Sequence, residues 1–254
     1  MGKESLISVV TPVYHLEKYI CATMDSVRAQ TYTDWEYILV LDGEGDPTAD
    51  VIREYIERTG DERIRLFESA EPIGAAGARN MGVELAAGRY IAYLDGDDIW
   101  EPEKLEKELA LASSKGAGFV FTGYEFADEN GVGSGKVVHV PESLTYEQAL
   151  GNTVIFTSTV LFDTEIVDKS LIRMPNIKSE DTALWWTLLR KGYVAYGLDE
   201  NLVKYRRIGK TLSSNKLAAV KRMWYLLRKH EGLGLGRSIK YFMRWAIGAT
   251  RRRV

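Results

Sequence analysis

Three carboxylates surround a single glycine directly after a short apolar run in this chain. The segment from Tyr90 to Pro102 reads YIAYLDGDDIWEP, and its apolar part, residues 90–94, is predicted to be a strand. Asp95 and Asp97 are separated by one residue, so both could face one oxygen-seeking ion, Mg²⁺ or Mn²⁺, that also holds a diphosphate. The same residues could instead form a solvated turn that caps the next helix. The segment therefore predicts a metal site only if its neighbours support one.

Candidate nucleotide-binding side chains follow the ends of two other predicted strands and the start of a predicted helix. Pro12 and Tyr14 close the first strand, and Asp42 closes the second. The Tyr14 ring could stack on a base, and Asp42 could accept a hydrogen bond from a pyrimidine imide N–H. Arg79 lies in a segment rich in small residues, where backbone N–H groups and a guanidinium can approach a phosphate. Alternatively, Tyr14 could pack, Asp42 could cap a turn and Arg79 could form an ion pair.

The elements that must position these residues alternate between strand and helix through the first hundred residues. Strands are predicted at 6–13, 35–41, 64–67 and 90–94, and helices at 17–30, 50–58 and 75–87. Further helices are predicted at 103–114, 181–191 and 216–230, and further strands at 118–126, 137–140, 152–162 and 193–197. The early alternation predicts an α/β fold with a parallel, doubly wound sheet, whose ligand site lies at the carboxyl ends of the strands. The later order predicts a mixed sheet.

Composition is that of a compact enzyme-sized chain. It has 254 residues, 45% of them hydrophobic and 27% charged, with a formal net charge of -3. The single cysteine, Cys21, excludes an intrachain disulfide and a thiolate cluster for zinc, which suits a reducing compartment. No apolar run approaches the ~20 residues of a membrane span, and the first residues lead into a strand without a signal-peptide core. We therefore expect a cytoplasmic location, and the slightly acidic charge makes nucleic acid a poor candidate partner.

Five motifs together resemble the family 2 glycosyltransferases of the GT-A fold. They are ISVVTPVY near the N-terminus, DSVRAQTY from Asp25, VLDG from Val40, ARNMG from Ala78 and LDGDD from Leu94. The resemblance spans residues 6 to about 215. The later stretches MPNIKSEDTALWW and KGYVAYG are similar to the bacterial branch that builds teichuronic acid, capsule and lipopolysaccharide sugars.

The resemblance implies a role for each candidate residue. Carried over by position, Pro12, Tyr14 and Asp42 would line the base pocket of a nucleotide sugar, and Arg79 would approach its diphosphate. Asp95 and Asp97 would be the Asp-x-Asp pair that binds ribose and metal, with Mn²⁺ or Mg²⁺ as the cofactor, and Asp181 would be the catalytic base. The fold implied is a Rossmann-like, mostly parallel central sheet flanked by helices, with a small mixed sheet and C-terminal helices.

Chemistry supports the role of Asp181 independently of the resemblance. Transfer with inversion needs a carboxylate to take the proton of the acceptor hydroxyl. Glu180 and Asp181 begin a predicted helix whose face carries Leu184, Trp185 and Leu188, so the acids can project toward the sheet edge. The alternative is an acidic first turn or a simple helix cap. Glu180 could orient Asp181 or bind a sugar hydroxyl.

One departure from the family pattern concerns the metal site. Many relatives carry a histidine in the segment where this chain reads YRRIGKT from Tyr205, and Ile208 cannot ligate a metal in its place. Arg206, Arg207 and Lys210 could clamp a diphosphate electrostatically, or they could form a solvated basic turn.

The C-terminal segment from Arg237 has six basic residues and no acidic one. A basic, aromatic helix suits an anionic membrane face, with Tyr241, Phe242, Trp245 and Ile247 entering the headgroup region and Lys240, Arg244 and Arg251 to Arg253 meeting lipid phosphates. The alternative is a helix packed on the catalytic domain, followed by a solvated tail.

These observations predict an inverting, metal-dependent glycosyltransferase that uses a UDP-sugar and extends a cell-surface glycan or lipid-linked acceptor at the inner face of the membrane. We expect residues 1–215 to form the catalytic domain, with a nucleotide-sugar half to about residue 100 and an acceptor half beyond it, and residues 216–254 to form a helical basic extension. A sugar nucleotidyltransferase and a non-catalytic nucleotide-sugar-binding protein remain as alternatives.

Overall fold

The computed structural model describes residues 5–208 and 216–253, and the described side chains end at residue 250. The strands are β1 (Ile7–Val13), β2 (Trp35–Leu41), β3 (Ile64–Glu68), β4 (Tyr90–Tyr93), β5 (Ile99–Trp100), β6 (Phe119–Ala127), β7 (Gly133–Val138), β8 (Ser143–Leu144), β9 (Val160–Asp163) and β10 (Ala195–Arg206). The helices are α1 (Ile20–Arg28), α2 (Thr48–Thr59), α3 (Gly74–Leu85), α4 (Lys104–Lys115), α5 (Tyr146–Ala149), α6 (Glu180–Arg190), α7 (Lys216–Tyr225) and α8 (Leu235–Arg253). Short 3₁₀ turns span Thr157–Thr159 and Lys169–Leu171, and a π-helical turn, Leu226–His230, continues α7.

All ten strands within the described residues form one continuous sheet. Its order is β3-β2-β1-β4-β9-β6-β10-β5, with β7 beside β6 and β8 beside β10. The first four positions are parallel, as the alternation of strand and helix predicted, whereas β9 runs antiparallel to both β4 and β6. The expected mixed region is therefore an extension of the parallel sheet, because β9 pairs directly with β4.

Two of the parallel strands, β1 and β2, are almost entirely buried. Every residue of β2 is buried, and β1 is buried except for Pro12. Helix α3 lies close to β1 because Gly82 has no side chain: a Cβ there would stand 2.3 Å from Val10 Cγ1. This close packing fixes α3, and with it Arg79 in the middle of the helix, relative to β1.

Two of the differences between the predicted elements and the structure affect the candidate site. The segment 152–162 was expected to be one strand, but residues 152–156 lack regular structure and a 3₁₀ turn precedes the four-residue β9. The strand expected at 193–197 extends instead through Arg206 as β10, because most of that length pairs with β6. Both corrections matter for the site, since Ser158 lies in the 3₁₀ turn and Arg206 ends β10.

The C-terminal helices pack against the body of the protein through buried groups. Tyr241 of α8 is 1% exposed, and its hydroxyl donates to Glu147 on α5. Glu231, between α7 and α8, accepts hydrogen bonds from Tyr146 and from Arg190, the latter at 2.9 Å. In the described part of the chain, no helix combines the length and apolar character needed to cross a membrane.

Candidate active site

A cleft of about 240 Å³ opens at the carboxyl ends of β1, β2 and β4. Its lining residues are Pro12, Val13, Tyr14, Leu16, Asp42, Ala75, Arg79, Asp95, Gly96 and Asp97. The lining thus includes all six residues that the sequence nominated for nucleotide and metal binding. They converge because Val13 pairs with Leu41 and Val10 with Tyr93, so the three strands end at the same edge.

Tyr14 presents an exposed ring on a fixed loop. Its exposed fraction is 60%, and the ring lies edge-on to His15 with the centroids 4.3 Å apart. The buried Asp46 carboxylate accepts from the backbone N–H groups of His15 at 2.6 Å and of Thr48 at 2.8 Å. Because the backbone is held while the ring reaches solvent, Tyr14 is available to a planar ligand. His15 supports the Tyr14 ring by this edge contact and is itself held through its backbone by Asp46.

Asp42 caps α3, which was the structural alternative considered for it. Its Oδ1 accepts from the backbone N–H groups of Ile73 at 2.6 Å and Gly74 at 2.9 Å. Among the amides at the start of this helix, those of Ile73 and Gly74 therefore already have a carboxylate acceptor. Asp42 Oδ2 has no hydrogen-bond partner in the described part of the chain, and Asp42 lines the cleft, so this oxygen remains available to a ligand.

Arg79 is buried in an ion pair at the back of the cleft. Its Nη2 donates to Asp95, and its Nη1 lies 3.3 Å from Glu180 Oε1 and 3.6 Å from Met174 Sδ. Burial opposes the charge of the guanidinium, but the neighbouring Asp95 and Glu180 raise its pKa above the ordinary value. Arg79 therefore joins the carboxylate loop after β4 to the first turn of α6, and it also lines the cleft.

Ser158 anchors both ends of the carboxylate loop formed by residues 95–98. Its hydroxyl accepts from the Asp95 backbone N–H at 3.0 Å and donates to Asp98 Oδ2 at 2.6 Å. Asp98 is fully buried, and burial together with Asp97 and Asp95 raises its pKa well above the ordinary range. Asp98 is thus a structural anchor, and the metal-binding candidates in this loop are Asp95 and Asp97.

Arg206 fixes the middle of the loop from the opposite side. Its Nε donates to the Asp97 carbonyl, and its Nη2 lies 3.2 Å from Thr23 Oγ1 and 3.3 Å from the Tyr19 carbonyl. Thr23 also donates to the Gly96 carbonyl at 2.9 Å. The sequence suggested two roles for Arg206, a diphosphate clamp or part of a solvated turn. Neither fits its position, because Arg206 is buried and does not line the cleft. Its side chain instead positions the metal-binding candidate Asp97.

The two remaining loop carboxylates suit a divalent cation. Asp95 and Asp97 are partly exposed and line the same cleft. Burial and the nearby Asp95 raise the pKa of Asp97 to about 6. A cation would remove that unfavourable proximity of negative charges, and two carboxylates with open positions match the way Mg²⁺ and Mn²⁺ are held beside a phosphate.

Asp181 lies in the first turn of α6, close enough to Arg79 and Asp95 for their charges to act on it. The helix begins after Ser179, whose φ of 63° is left-handed. Asp181 Oδ1 lies 2.6 Å from the backbone N–H of Thr182, and burial raises the pKa of this carboxyl. A partly buried carboxylate at this position is suited to accept a proton.

Ile208, where the resemblance expects a histidine, is partly buried near the end of a described segment. Lys210 lies outside the described residues, as do the side chains of Arg251 to Arg253.

Comparison with known proteins also identifies glycosyltransferases, and one relative matches nearly the whole chain. A model of glycosyl transferase family 2 matches residues 8–165. A putative teichuronic acid biosynthesis glycosyltransferase, TuaG of Bacillus subtilis, is 42% identical over 98% of this chain and 98% of its own length. WfgD of Escherichia coli, named as a UDP-Glc:alpha-D-GlcNAc-diphosphoundecaprenol beta-1,3-glucosyltransferase, is 34% identical over 87% of this chain and 85% of its own.

Solved structures of low sequence identity share the fold. The mannosyltransferase PcManGT of Pyrobaculum calidifontis, solved with GDP-Man and Mn²⁺, superposes with a TM-score of 0.73 at 16% identity, covering 96% of this chain and 73% of its own. S. aureus TarS, solved with UDP-GlcNAc, gives a TM-score of 0.69 at 16% identity, covering 94% and 71%. The architecture is the GT-A fold, as the resemblance implied.

Proposed function

This chain belongs to glycosyltransferase family 2, and from that premise we propose that it is an inverting, metal-dependent enzyme that transfers a sugar from a UDP-sugar to a lipid-linked glycan precursor. The observation that carries the proposal is the convergence of Pro12, Tyr14, Asp42, Arg79, Asp95 and Asp97 on one cleft beside Asp181. The alternatives, a nucleotidyltransferase and a non-catalytic binding protein, have no comparable support, because the named relatives are glycosyltransferases.

The donor is held at the edge of the parallel sheet. Tyr14 stacks on the base, and the free oxygen of Asp42 accepts a hydrogen bond from the imide N–H of uracil. Asp95 and Asp97 would hold a divalent cation, Mn²⁺ or Mg²⁺, near the diphosphate. The bound cation supplies charge stabilisation for the leaving nucleoside diphosphate. The choice of uridine is supported by the name of the Escherichia coli relative, which specifies UDP-Glc.

Asp181 supplies the proton acceptor. As the acceptor hydroxyl oxygen bonds to the anomeric carbon, its proton passes to the Asp181 carboxylate. The bond between that carbon and the diphosphate oxygen breaks, and the electron pair leaves with UDP. The raised pKa of Asp181 favours this role because it makes the carboxylate a better proton acceptor than an exposed aspartate.

The acceptor is membrane-bound in this proposal, and α8 contacts the membrane with a face different from the one expected. Tyr241 is buried, and Phe242 and Trp245 pack against the core, so these aromatic residues do not reach lipid. The exposed face of α8 carries the apolar side chains of Leu235, Ile239, Met243 and Ile247, spaced four residues apart and 49–58% exposed. Lys240 and Arg244 are also exposed on this helix, and a basic amphipathic helix suits an anionic membrane surface on the cytoplasmic side.

A nucleotide-sugar screen tests the proposal. Purified protein with Mn²⁺ should slowly hydrolyse one UDP-sugar in a panel of UDP- and GDP-sugars, releasing UDP together with free sugar. Release of pyrophosphate on incubation with a sugar phosphate and UTP would favour the nucleotidyltransferase instead. Tight UDP binding without turnover, even when lipid-linked acceptors are added, would favour a non-catalytic binding protein.

A further inference from the structure

A second cleft, of about 420 Å³, lies where the segment before α6 meets α7. It is lined by Ile177, Lys178, Lys221, Arg222 and Tyr225, and we call it the basic cleft. None of these residues lines the cleft at the carboxyl ends of β1, β2 and β4, which we call the donor cleft. The volume is within the range of small-molecule sites, so the basic cleft is large enough for a ligand.

Three of the five residues that line the basic cleft are cations. Lys178, Lys221 and Arg222 form no ion pair within the described part of the chain. The sequence from 216 to 254 contains eleven Lys and Arg residues but one acid, Glu231, which is buried beside Arg190. Uncompensated cations around one cavity favour an anionic ligand, and phosphate groups are suitable partners for Lys and Arg.

The same cleft has an apolar component that continues along α7. Ile177 and Tyr225 contribute to its lining, and Leu217 and Val220 are exposed on α7. Exposed apolar side chains next to a group of cations match an amphiphile that carries phosphate at one end and an alkyl chain at the other. Uridine nucleotides lack such a chain.

The position of the basic cleft relates it to the acceptor. Lys178 precedes Asp181 by three residues, so their Cα atoms are at most about 11 Å apart. A sugar whose hydroxyl meets Asp181 would hold the phosphate on its anomeric carbon roughly one sugar ring away. Lys178 is therefore close enough to the proposed catalytic base to contact that phosphate.

We propose that the basic cleft binds the phosphate groups of a lipid-linked sugar acceptor, with the lipid chain running over the apolar surface of α7. The inference rests on the proposed function, because it takes Asp181 as the group that deprotonates the acceptor. It assigns the recognition of the acceptor phosphates to Lys178, Lys221 and Arg222, and this contact needs no divalent cation.

Binding of farnesyl diphosphate without divalent cation tests the basic cleft directly, because the donor cleft depends on a cation to hold a diphosphate. The Lys178→Gln/Lys221→Gln protein should bind this probe about 10- to 100-fold more weakly than wild type, since two charge-assisted contacts are lost. The matched control, Lys191→Gln/Lys229→Gln, removes two exposed charges near the other ends of α6 and α7 and should change affinity by no more than about two-fold. UDP affinity in Mn²⁺ should be unchanged in both variants.

Three outcomes overturn the proposal. Wild type could fail to bind farnesyl diphosphate, or the cleft variant and the control could weaken binding equally. Binding to phosphatidylglycerol vesicles could also fall as much as farnesyl diphosphate binding, which would make a phospholipid headgroup the ligand. UDP binding with Mn²⁺ could be absent while the cleft variant still binds farnesyl diphosphate more weakly than wild type. In that case the proposed function fails, and the basic cleft is a phosphate site with no role in acceptor binding.

Discussion

The carboxylate loop and the outer face of α8 present their functional side chains in opposite ways. In residues 95–98 every residue is held by a hydrogen bond from another element, through Ser158, Thr23 and Arg206. On α8, four apolar side chains at a spacing of four residues extend into solvent, while the opposite face is fixed by the buried Tyr241.

The difference fits what each region is proposed to recognise. A metal and a diphosphate need oxygens at defined positions, so the loop is positioned by groups from α1, the 3₁₀ turn and β10. A lipid surface has no fixed geometry, and an apolar face with exposed cations is sufficient for it. We therefore expect function to depend on the positions of individual groups in the carboxylate loop, and on the apolar and basic character of the exposed surface on α8.

The largest effect is expected when the proton acceptor is removed. Asp181→Asn should lower the rate of sugar transfer by about 100- to 10,000-fold, because an amide cannot take the acceptor proton. Affinity for UDP and Mn²⁺ should stay near that of wild type, since Asp181 is proposed to act on the acceptor. Transfer rate and nucleotide affinity are to be measured on the same folded protein.

Two further measurements sharpen this test. The raised pKa of Asp181 predicts that the pH profile of kcat/KM falls with decreasing pH at a value above 3.8, because the base must be deprotonated to act. At saturating Mn²⁺, which keeps Asp97 deprotonated, this acidic limb should be absent in the variant. Unchanged turnover in Asp181→Asn, with a large loss in Glu180→Gln, would instead assign the base to Glu180.

The next effect concerns the cation. Asp97→Asn should reduce the gain in UDP affinity produced by Mn²⁺ by at least about 10-fold, because a neutral amide no longer holds the ion against the diphosphate. Titration calorimetry with and without Mn²⁺ measures that gain. UDP affinity without metal is the internal control and should be similar in both proteins. An undiminished metal-dependent gain would show that Asp97 does not hold the cation.

The anchors of the carboxylate loop should contribute to stability. Ser158→Ala leaves buried Asp98 without its hydroxyl donor and the Asp95 amide without its acceptor, at an expected cost of about 1–3 kcal/mol in the free energy of unfolding. Urea unfolding measures the change. Ser114→Ala, an exposed serine on α4, is the matched control and should change stability little. Equal stabilities of the two variants would contradict the anchoring role.

The convergence of the proposed donor-binding residues on one cleft could be predicted from the sequence, because it depends on local patterns and one rule of topology. Tyr14, Asp42 and Asp95 each follow a parallel strand, and the carboxyl ends of parallel strands meet at one edge. The rule does not reveal side-chain partners. Asp42 therefore proved to cap α3 as well as to line the cleft.

The anchors could not be predicted, because they depend on the order of distant strands. Ser158 reaches the loop through the pairing of β4 with β9, and Arg206 through the position of β10 beside β6. Neither pairing follows from the spacing of residues. Because residues 152–162 were predicted to form one strand, the 3₁₀ turn that contains Ser158 was not predicted.

The orientation of α8 was ambiguous for a different reason. The helix has two apolar stripes, one containing Tyr241, Phe242 and Trp245 and the other containing Ile239 and Ile247. Periodicity indicates that one stripe packs, but it does not indicate which. The sequence argument placed the aromatic residues and Ile247 toward lipid, or else packed the helix on the catalytic domain. The structure packs the aromatic stripe against the core and leaves Ile247 exposed.

The smallest expected effect tests the surface on which α8 differs from the carboxylate loop. Ile239→Gln/Ile247→Gln should weaken binding to phosphatidylglycerol vesicles roughly five-fold, equivalent to about 1 kcal/mol, because less apolar surface leaves water. Val132→Gln/Ile166→Gln, which alters exposed apolar residues elsewhere, is the matched control and should bind as wild type does. A truncation at residue 237 is less informative, since it also removes the buried Tyr241. Because both pairs are exposed, folding should be retained, and co-sedimentation at low and high salt separates the apolar from the electrostatic contribution. If the two pairs behave alike, α8 does not use this face to contact lipid, and its role is to pack on the catalytic body through Tyr241.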